Sequence, residues 1–159
     1  MIEGVVTKPL RCLRDDRGFL MEILRSDEAI FERFGQAYLT CCRPGIAKAW
    51  HYHREQTDHF VCLRGRALVV LYDNREGSPT RGQVQEFRLG GPPASEGEGL
   101  MVKIPRLVVH GFAALGEEET HILNVPTQVY RYEAPDELRL PWNSPDVPYR
   151  WPDFVTAGG

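Results

Sequence analysis

The sequence lacks the features that mark membrane, secreted or nucleic-acid-binding proteins. No apolar run approaches the length of a membrane-spanning helix. The first residues, MIEGVVTKPLRC, do not contain the apolar core of a signal peptide. Basic residues are not in excess, because the formal net charge is -3 and the pI is near 6.0. We therefore expect a cytoplasmic protein that binds neither a membrane nor nucleic acid.

Cysteine is also scarce, and its spacing excludes two further classes of protein. Four cysteines occur, and none is part of a C-x-x-C pair. Cys41 and Cys42 are adjacent, so they point to opposite faces if they lie in a strand. This pattern suits neither a zinc ribbon nor a disulfide framework. We expect reduced thiols, most of them buried.

Helix signals are almost absent, and strand signals dominate. One short helix is predicted, with Ser26 as its N-cap and Gly35 at its end. The predicted strands are one before Pro9 and others near 19–25, 37–43, 46–53, 59–64, 66–72, 83–89, 100–104, 107–115, 120–125 and 127–132. Many short strands between turn residues are typical of an all-β sandwich or jelly roll. The length and composition are those of a single globular domain at residues 1–159.

The C-terminal part of the chain, from Ala134 onward, is rich in proline and tryptophan. It contains the segment PWNSPDVPYRWP at residues 141–152. Proline cannot donate the hydrogen bond that a strand ladder needs, so regular sheet is excluded here. We expect this segment to wrap the barrel as an ordered loop layer.

The histidines concentrate in one stretch, GIAKAWHYHREQTDHFVCLRG at residues 45–65. His51 and His53 are two residues apart, so in a strand both imidazoles point to the same face. Asp58 follows a polar break and begins a second apolar run, and His110 arrives later within VVHGFAAL. Two imidazoles on one strand face, a carboxylate and a third imidazole together predict a functional site.

These residues resemble the two sequence motifs of the cupin superfamily. The first motif is matched by Gly45, His51, His53, Asp58 and Gly65, with Asp in place of Glu. The second is matched by Gly99, Pro105 and His110, with Leu107 and Ala114 where Gly and Asn are usual. The resemblance implies a jelly-roll fold. It also implies one possible ligand set for a divalent metal ion: His51, His53, Asp58 and His110.

A longer resemblance, over residues 15–152, is to the cupin-like 3,5-epimerases that act on nucleotide-linked 4-keto-6-deoxysugars in the dTDP-rhamnose pathway. The matching segments are DRGFLME at 16–22, WHYH at 50–53, DNREGSPTRG at 73–82, IPRLVVHGF at 104–112, Gln128 to Tyr132, and PWNSPDVPYRWP at 141–152. The resemblance implies proton removal beside a C4 ketone and proton return on the opposite face, without a redox cofactor.

By resemblance, particular residues take particular roles. His51 matches the base and Tyr130 the acid, with Tyr132 as a nearby second candidate or substrate contact. The expected nucleotide and diphosphate contacts are Arg17, Glu22 and Lys48, and His53 and His110 are expected to line the substrate pocket. The likeness also implies a homodimer, built on N-terminal edge strands and the face that carries DRGFLME.

The chain departs from the epimerase pattern at three points. Asp58 lies near the position of a Lys that helps to hold the enolate oxygen in the family, and His53 replaces a Gln or similar residue. No residue matches the C-terminal Asp that pairs with the base in the family, so Asp58 becomes the candidate to orient His51. Three hypotheses follow: an epimerase without a cofactor, which we prefer, a metal-dependent cupin enzyme, and a non-catalytic sugar-nucleotide or small-molecule binding cupin.

Overall fold

The computed structural model describes residues 1–159 and contains thirteen β-strands and no α-helix. In chain order, the strands are β1 (Val6–Pro9), β2 (Cys12–Asp15), β3 (Gly18–Met21), β4 (Tyr38–Cys42), β5 (Ile46–Tyr52), β6 (Asp58–Arg64), β7 (Arg66–Tyr72), β8 (Val84–Gly90), β9 (Leu100–Ile104), β10 (Val109–Ala114), β11 (Thr120–Asn124), β12 (Leu138–Arg139) and β13 (Ala157–Gly158). No helix is long and apolar enough to cross a membrane.

Two antiparallel sheets form a sandwich, as the sequence predicts. The five-stranded sheet has the order β1-β9-β6-β11-β4. The six-stranded sheet has the order β12-β5-β10-β7-β8, and β13 also pairs with β5, in parallel. Strands β2 and β3 form a separate hairpin. The main core lies between the two sheets and is built from side chains such as Phe60, Phe112 and Ile122.

The six-stranded sheet is buried on both faces, because the C-terminal segment covers its outer side. In β7, Val69 belongs to the core between the sheets, whereas Val70 belongs to a second apolar cluster outside. Trp151 of the C-terminal segment completes that second cluster, and its ring stacks on Trp50 with centroids 4.9 Å apart. The prediction of an ordered wrapping layer is confirmed, although the layer also adds the two-residue strands β12 and β13.

The predicted helix after Ser26 is wrong. Residues 26–34 form turns and irregular structure instead. The Glu28 carboxylate accepts hydrogen bonds from Lys8 Nζ at 2.6 Å and from the Arg25 backbone N–H at 3.1 Å. The Ile30 carbonyl faces His59 Nε2 at 3.2 Å. So short a helix is marginal on its own, and tertiary contacts of this kind override its capping signals.

The predicted strands at 127–132 and 19–25 also need correction. Residues 127–132 form no strand, because Pro126 interrupts the ladder of β11 and the chain turns toward other partners. The Thr127 N–H donates to the Thr57 carbonyl at 3.0 Å, and Tyr130 therefore lies on a loop. The strand predicted at 19–25 ends at Met21. All four cysteines are free, with Cys42 and Cys62 buried.

Candidate active site

A cavity of about 470 Å³ opens beside the end of β5. Its lining includes most of the residues singled out in the sequence: Lys48, His51, His53, Tyr130 and Tyr132. It also includes residues that sequence reasoning missed: Tyr38, Gln56, Asp136, Glu137 and Arg139. Asp58 and His110 do not line the cavity and lie buried behind it.

Strand register brings the three imidazoles together. His51 in β5 is paired directly with His110 in β10, and the two ring centroids are 4.2 Å apart. The His53 ring, just beyond β5, lies 6.0 Å from that of His51 and 5.7 Å from that of His110. One ring nitrogen from each residue can be chosen so that all three lie within 4.8 Å of one another. The predicted convergence of these side chains is what the structure shows.

Asp58 holds two of the imidazoles and is itself held by two amides. Its Oδ2 atom lies 3.3 Å from His53 Nε2 and 3.4 Å from His110 Nε2. Its Oδ1 atom accepts hydrogen bonds from Gln56 Nε2 and Asn124 Nδ2, both at 2.7 Å. Burial alone would raise the pKa of Asp58, but the hydrogen bonds and charges of His110 and His53 bring it well below its ordinary value. Asp58 is therefore an ionised carboxylate inside the protein.

His53 is the imidazole that carries the matching positive charge. Its Nδ1 atom contacts the Asp136 backbone carbonyl, and its Nε2 atom faces Asp58. Burial lowers the pKa of His53, but the hydrogen bond and charge of Asp58 outweigh burial and raise the pKa above its usual value. Because both ring nitrogens face acceptors, the doubly protonated ring suits this position.

The Asp136 carboxylate fixes the loop between β5 and β6. It accepts backbone N–H groups from Arg54 at 2.9 Å, Glu55 at 2.8 Å and Gln56 at 3.1 Å. The loop that carries His53 and leads to Asp58 is thus anchored by a residue far along the chain. No motif in the sequence points to Asp136, because its partners are backbone groups with no side-chain signature.

His51 differs from the other two imidazoles, because its ring makes no hydrogen bond to the protein. Burial, and then the neighbouring His110, lower the pKa of His51 well below the ordinary value of 6.5. A neutral ring with a free nitrogen can accept a proton from a ligand in the cavity. The expectation that Asp58 orients His51 is wrong in its detail, since the contacts of Asp58 go to His53 and His110.

The three imidazoles also satisfy a first test for a metal site. Bonds of about 2.0–2.2 Å to one ion require nitrogens that can approach to within several ångströms of one another, as these do. His110 Nε2 is buried and has no well-aligned hydrogen-bond partner. Asp58 is not part of the converging set of ligand atoms. The predicted four-ligand set is therefore reduced to three imidazoles.

The remaining predicted contacts divide into two groups. Lys48 lines the cavity and donates from Nζ to Thr40 Oγ1 at 2.7 Å and to the Cys41 carbonyl at 3.2 Å. Arg17 and Glu22 are not in the cavity of the same chain. They lie on or beside the β2–β3 hairpin and pair with their own neighbours, Asp15 and Arg25.

One missed residue left a signal in the sequence. In THILN at 120–124, alternation places Thr120, Ile122 and Asn124 on one face. All three are fully buried, so a polar Asn occupies an inward position of the strand. A buried amide needs partners, and the partners of Asn124 are Asp58 and Tyr38.

Comparisons with known proteins agree with this geometry. The family model described as dTDP-4-dehydrorhamnose 3,5-epimerase matches residues 1–158. The spore coat polysaccharide biosynthesis protein SpsL of Bacillus subtilis is 40% identical over 151 residues, which cover 95% of this chain and 97% of that protein. The probable low-salt glycan biosynthesis epimerase Agl13 of Haloferax volcanii is 41% identical over 152 residues, which cover 94% of each chain.

A solved structure extends the likeness to three dimensions. The dTDP sugar isomerase of Desulfovibrio desulfuricans G20 matches with a TM-score of 0.88 and 32% identity, covering 97% of this chain and 96% of that one. The family resemblance seen in the sequence is confirmed over nearly the whole chain. This protein belongs to the dTDP-4-dehydrorhamnose 3,5-epimerase family.

Proposed function

We propose that the protein is an epimerase that acts on a nucleotide-linked 4-keto-6-deoxysugar. The observation that carries the proposal is the neutral imidazole of His51, which has no hydrogen bond to the protein and lies at the wall of a ligand-sized cavity. Family membership supplies the reaction class. The reaction removes and returns one proton and needs no redox cofactor.

His51 acts as the base in this proposal. Its free ring nitrogen takes the hydrogen at C3 or C5, which the C4 ketone makes acidic, and the substrate becomes an enolate. Proton transfer by a well-placed group contributes about 10²–10⁴-fold to a rate. A proton then returns to the same carbon from the other face, and the family resemblance assigns that step to Tyr130. The Tyr130 side chain is 43% exposed and lines the cavity, which suits this role.

The protonated His53 supplies the positive charge that, in the family, comes from a Lys near the position of Asp58. Its two ring nitrogens are engaged by Asp136 and Asp58, so it acts through its charge and not by direct donation. Asp58 keeps His53 protonated and is the positioning residue for it. His110 packs edge-on against His51, with ring centroids 4.2 Å apart.

Lys48 and a second copy of the chain complete the substrate site. Lys48 offers a point charge to the diphosphate of the nucleotide, without the two parallel N–H donors that an Arg would present.

The hairpin that carries Arg17 exposes Phe19 and Leu20, which are 52% and 59% exposed. Such a patch suits an interface, and a homodimer could bring Arg17 and Glu22 to the partner's cavity. We also propose that residues 1–159 act as one domain.

Light scattering tests the homodimer. We expect a dimer at micromolar protein concentration, and Phe19→Glu with Leu20→Glu should shift it to a monomer, because charge at a buried contact is costly. A wild-type monomer would contradict the proposal.

The function is tested by NMR of a dTDP-4-keto-6-deoxysugar in deuterated water. Wild-type protein should introduce deuterium at C3 or C5 and produce an inverted sugar. We expect His51→Ala to lose this activity by about 10²-fold or more, since it removes the base. Tyr149→Phe, which loses a hydrogen bond to Glu86 outside the cavity, is the matched control. No deuterium in the wild-type reaction would contradict the substrate class.

A metal-dependent reaction is the second candidate, because three imidazoles converge beside the cavity. One divalent ion held by His51, His53 and His110 would stabilise the enolate oxygen as a Lewis acid. The same NMR assay, run after dialysis against a chelator, separates the two. Full activity in metal-free protein supports the cofactor-free epimerase, and activity restored only by added metal supports the alternative.

A further inference from the structure

We infer that Tyr38 delivers a proton to the enolate on the face of the sugar opposite His51. This inference rests on the proposed epimerase function, and it gives to Tyr38 the proton-return step that the family resemblance assigns to Tyr130. Neither the sequence motifs nor the family resemblance points to Tyr38.

The two residues reach the same cavity from different sheets. His51 lies in β5 of the six-stranded sheet, and Tyr38 begins β4 at the edge of the five-stranded sheet. Both side chains line the cavity. An inverting proton transfer needs a base and an acid on opposite sides of the reacting carbon, and two side chains that reach one cavity from different sheets suit that arrangement.

The direction of the Tyr38 hydroxyl is set by Asn124, its partner in the β4–β11 register. The Asn124 side-chain oxygen accepts the His59 backbone N–H at 2.9 Å, which fixes the orientation of the amide. The amide nitrogen therefore donates both its hydrogens, one to Asp58 Oδ1 at 2.7 Å and one to the Tyr38 hydroxyl oxygen at 2.9 Å. The Tyr38 oxygen is thus an acceptor, and its own proton is left for a ligand in the cavity.

Charge and burial keep that proton in place until a strong base appears. Partial burial of the side chain, which is 39% exposed, and then the negative charge of Asp58 raise the pKa of Tyr38 to about 12. The hydroxyl is therefore protonated at neutral pH. An enolate carbon is a base that can take this proton, and the Asn124 N–H stays in place to stabilise the resulting tyrosinate.

The step is balanced in atoms and electrons. His51 gains a proton as the C–H bond at C3 or C5 breaks, and the electron pair becomes the enolate. The Tyr38 O–H bond then breaks, the enolate pair forms a new C–H bond on the opposite face, and the C4 ketone is restored. The proton on His51 passes to water, and water returns one to the Tyr38 tyrosinate.

Tyr130 is placed differently from Tyr38. It lies on the irregular segment after β11, and its ring packs against the exposed Tyr132 with centroids 5.0 Å apart. None of its side-chain atoms is fixed by a hydrogen bond of the kind that Asn124 makes to Tyr38. Of the two hydroxyls, Tyr38 is the one whose direction is set before the sugar arrives.

The test compares exchange with inversion in deuterated water for the variants Tyr38→Phe, Tyr130→Phe and the control Tyr149→Phe. In Tyr38→Phe, His51 still removes the proton and returns deuterium to the same face. We expect deuterium to enter substrate of unchanged configuration, while formation of the inverted sugar falls by about 10²-fold or more. The Tyr149→Phe protein should keep the wild-type ratio of the two rates.

Three outcomes would overturn the inference. One is inverted product from Tyr38→Phe at the wild-type rate. The second is an equal loss of exchange and inversion in that variant, with an unchanged melting temperature, which would indicate a contact for substrate binding and not a proton donor. The third is uncoupling of exchange from inversion in Tyr130→Phe alone. Failure of the proposed function itself is distinct, since the wild-type protein would then show no exchange at all.

Discussion

Two buried aspartates organise two regions of this molecule, and their partners differ in kind. Asp73 begins the loop of residues 73–82, is fully buried and pairs with the Arg75 guanidinium at 2.8 Å. Ser78 and Thr80 add hydroxyl donors to it, each at 2.6 Å. Asp58 is also buried, but its partners are the imidazoles of His53 and His110.

This difference in partners gives Asp73 a structural role and Asp58 a chemical one. Arg75 keeps its charge at every accessible pH, and Asp73 stays ionised near neutral pH, so this region has one protonation state there. It also ties down the start of the chain, because Arg75 donates to the Glu3 carbonyl at 2.7 Å and Thr80 accepts the Glu3 N–H at 2.9 Å. Imidazoles titrate near neutrality, so the Asp58 region can exchange protons with a ligand. A similar buried carboxylate thus serves as an anchor in one place and as a regulator of protonation in the other.

The largest expected effect is that of removing the Asp58 charge. Asp58→Asn leaves the protonated His53 ring without its counterion inside the protein. We expect the free energy of unfolding at pH 7 to fall by about 3–5 kcal/mol, as for other broken buried ion pairs. We also expect epimerase turnover to collapse, because His53 then loses its proton. Urea denaturation and the NMR assay measure the two effects. A stable and active variant would contradict the role given to Asp58.

A smaller effect is expected at the other aspartate. Asp73→Asn weakens charge-assisted hydrogen bonds that are each worth about 1.5–3 kcal/mol, so unfolding should become easier by roughly that amount. Turnover should stay near the wild-type value, because the loop does not line the cavity. Asp15→Asn, which alters an exposed pair with Arg17, is the matched control and should leave stability nearly unchanged, because solvent screens an exposed ion pair. A large loss of turnover in Asp73→Asn would remove the distinction between the two regions.

The smallest expected effect is the pH dependence of the stability that Asp73 contributes. Burial would raise the pKa of Asp73, but its hydrogen bonds with Arg75, Ser78 and Thr80 lower it far below the ordinary value. A lowered pKa stabilises the folded state above the unfolded pKa of about 3.9, and the contribution is lost as the pH falls through the folded pKa. The difference in unfolding free energy between wild type and Asp73→Asn should therefore be constant above about pH 5 and shrink in acid. A difference that grows in acid would contradict the sign of this shift.

Local pattern in the sequence predicted the sandwich and the imidazole cluster. Strand alternation predicts that His51 and His53 share a face, although β5 ends at Tyr52 and His53 lies just beyond it. Short apolar runs between turns leave few folds other than a sandwich. The helix after Ser26 could not be excluded in this way, because Glu28 and Ile30 make contacts with distant residues. The family resemblance named Tyr130 but gave no hint that residues 127–132 leave the sheet.

Long-range register decided the part of the site that was missed. Asp136 lies 80 to 82 residues from the backbone groups that it holds, and Tyr38 is 86 residues from Asn124. No spacing rule reaches across such distances. The sequence predicted that Asp58 belongs to the site, but it paired Asp58 with His51, whereas the structure pairs it with His53 and His110. The pairing of β5 with β10 decides which imidazoles face Asp58.

The C-terminal layer has a consequence for the time course of folding. Strand β5, which carries His51, pairs with β12 at Tyr52 and His51 and with β13 at Ile46 and Ala47. The contact between Thr156 and the Gly45 carbonyl closes a separation of 111 residues. Contacts of such high sequence separation form late and slow the folding rate. The strand that carries the base is therefore among the last to gain all its neighbours, so recovery of epimerase activity on refolding should lag behind the formation of the core between the sheets.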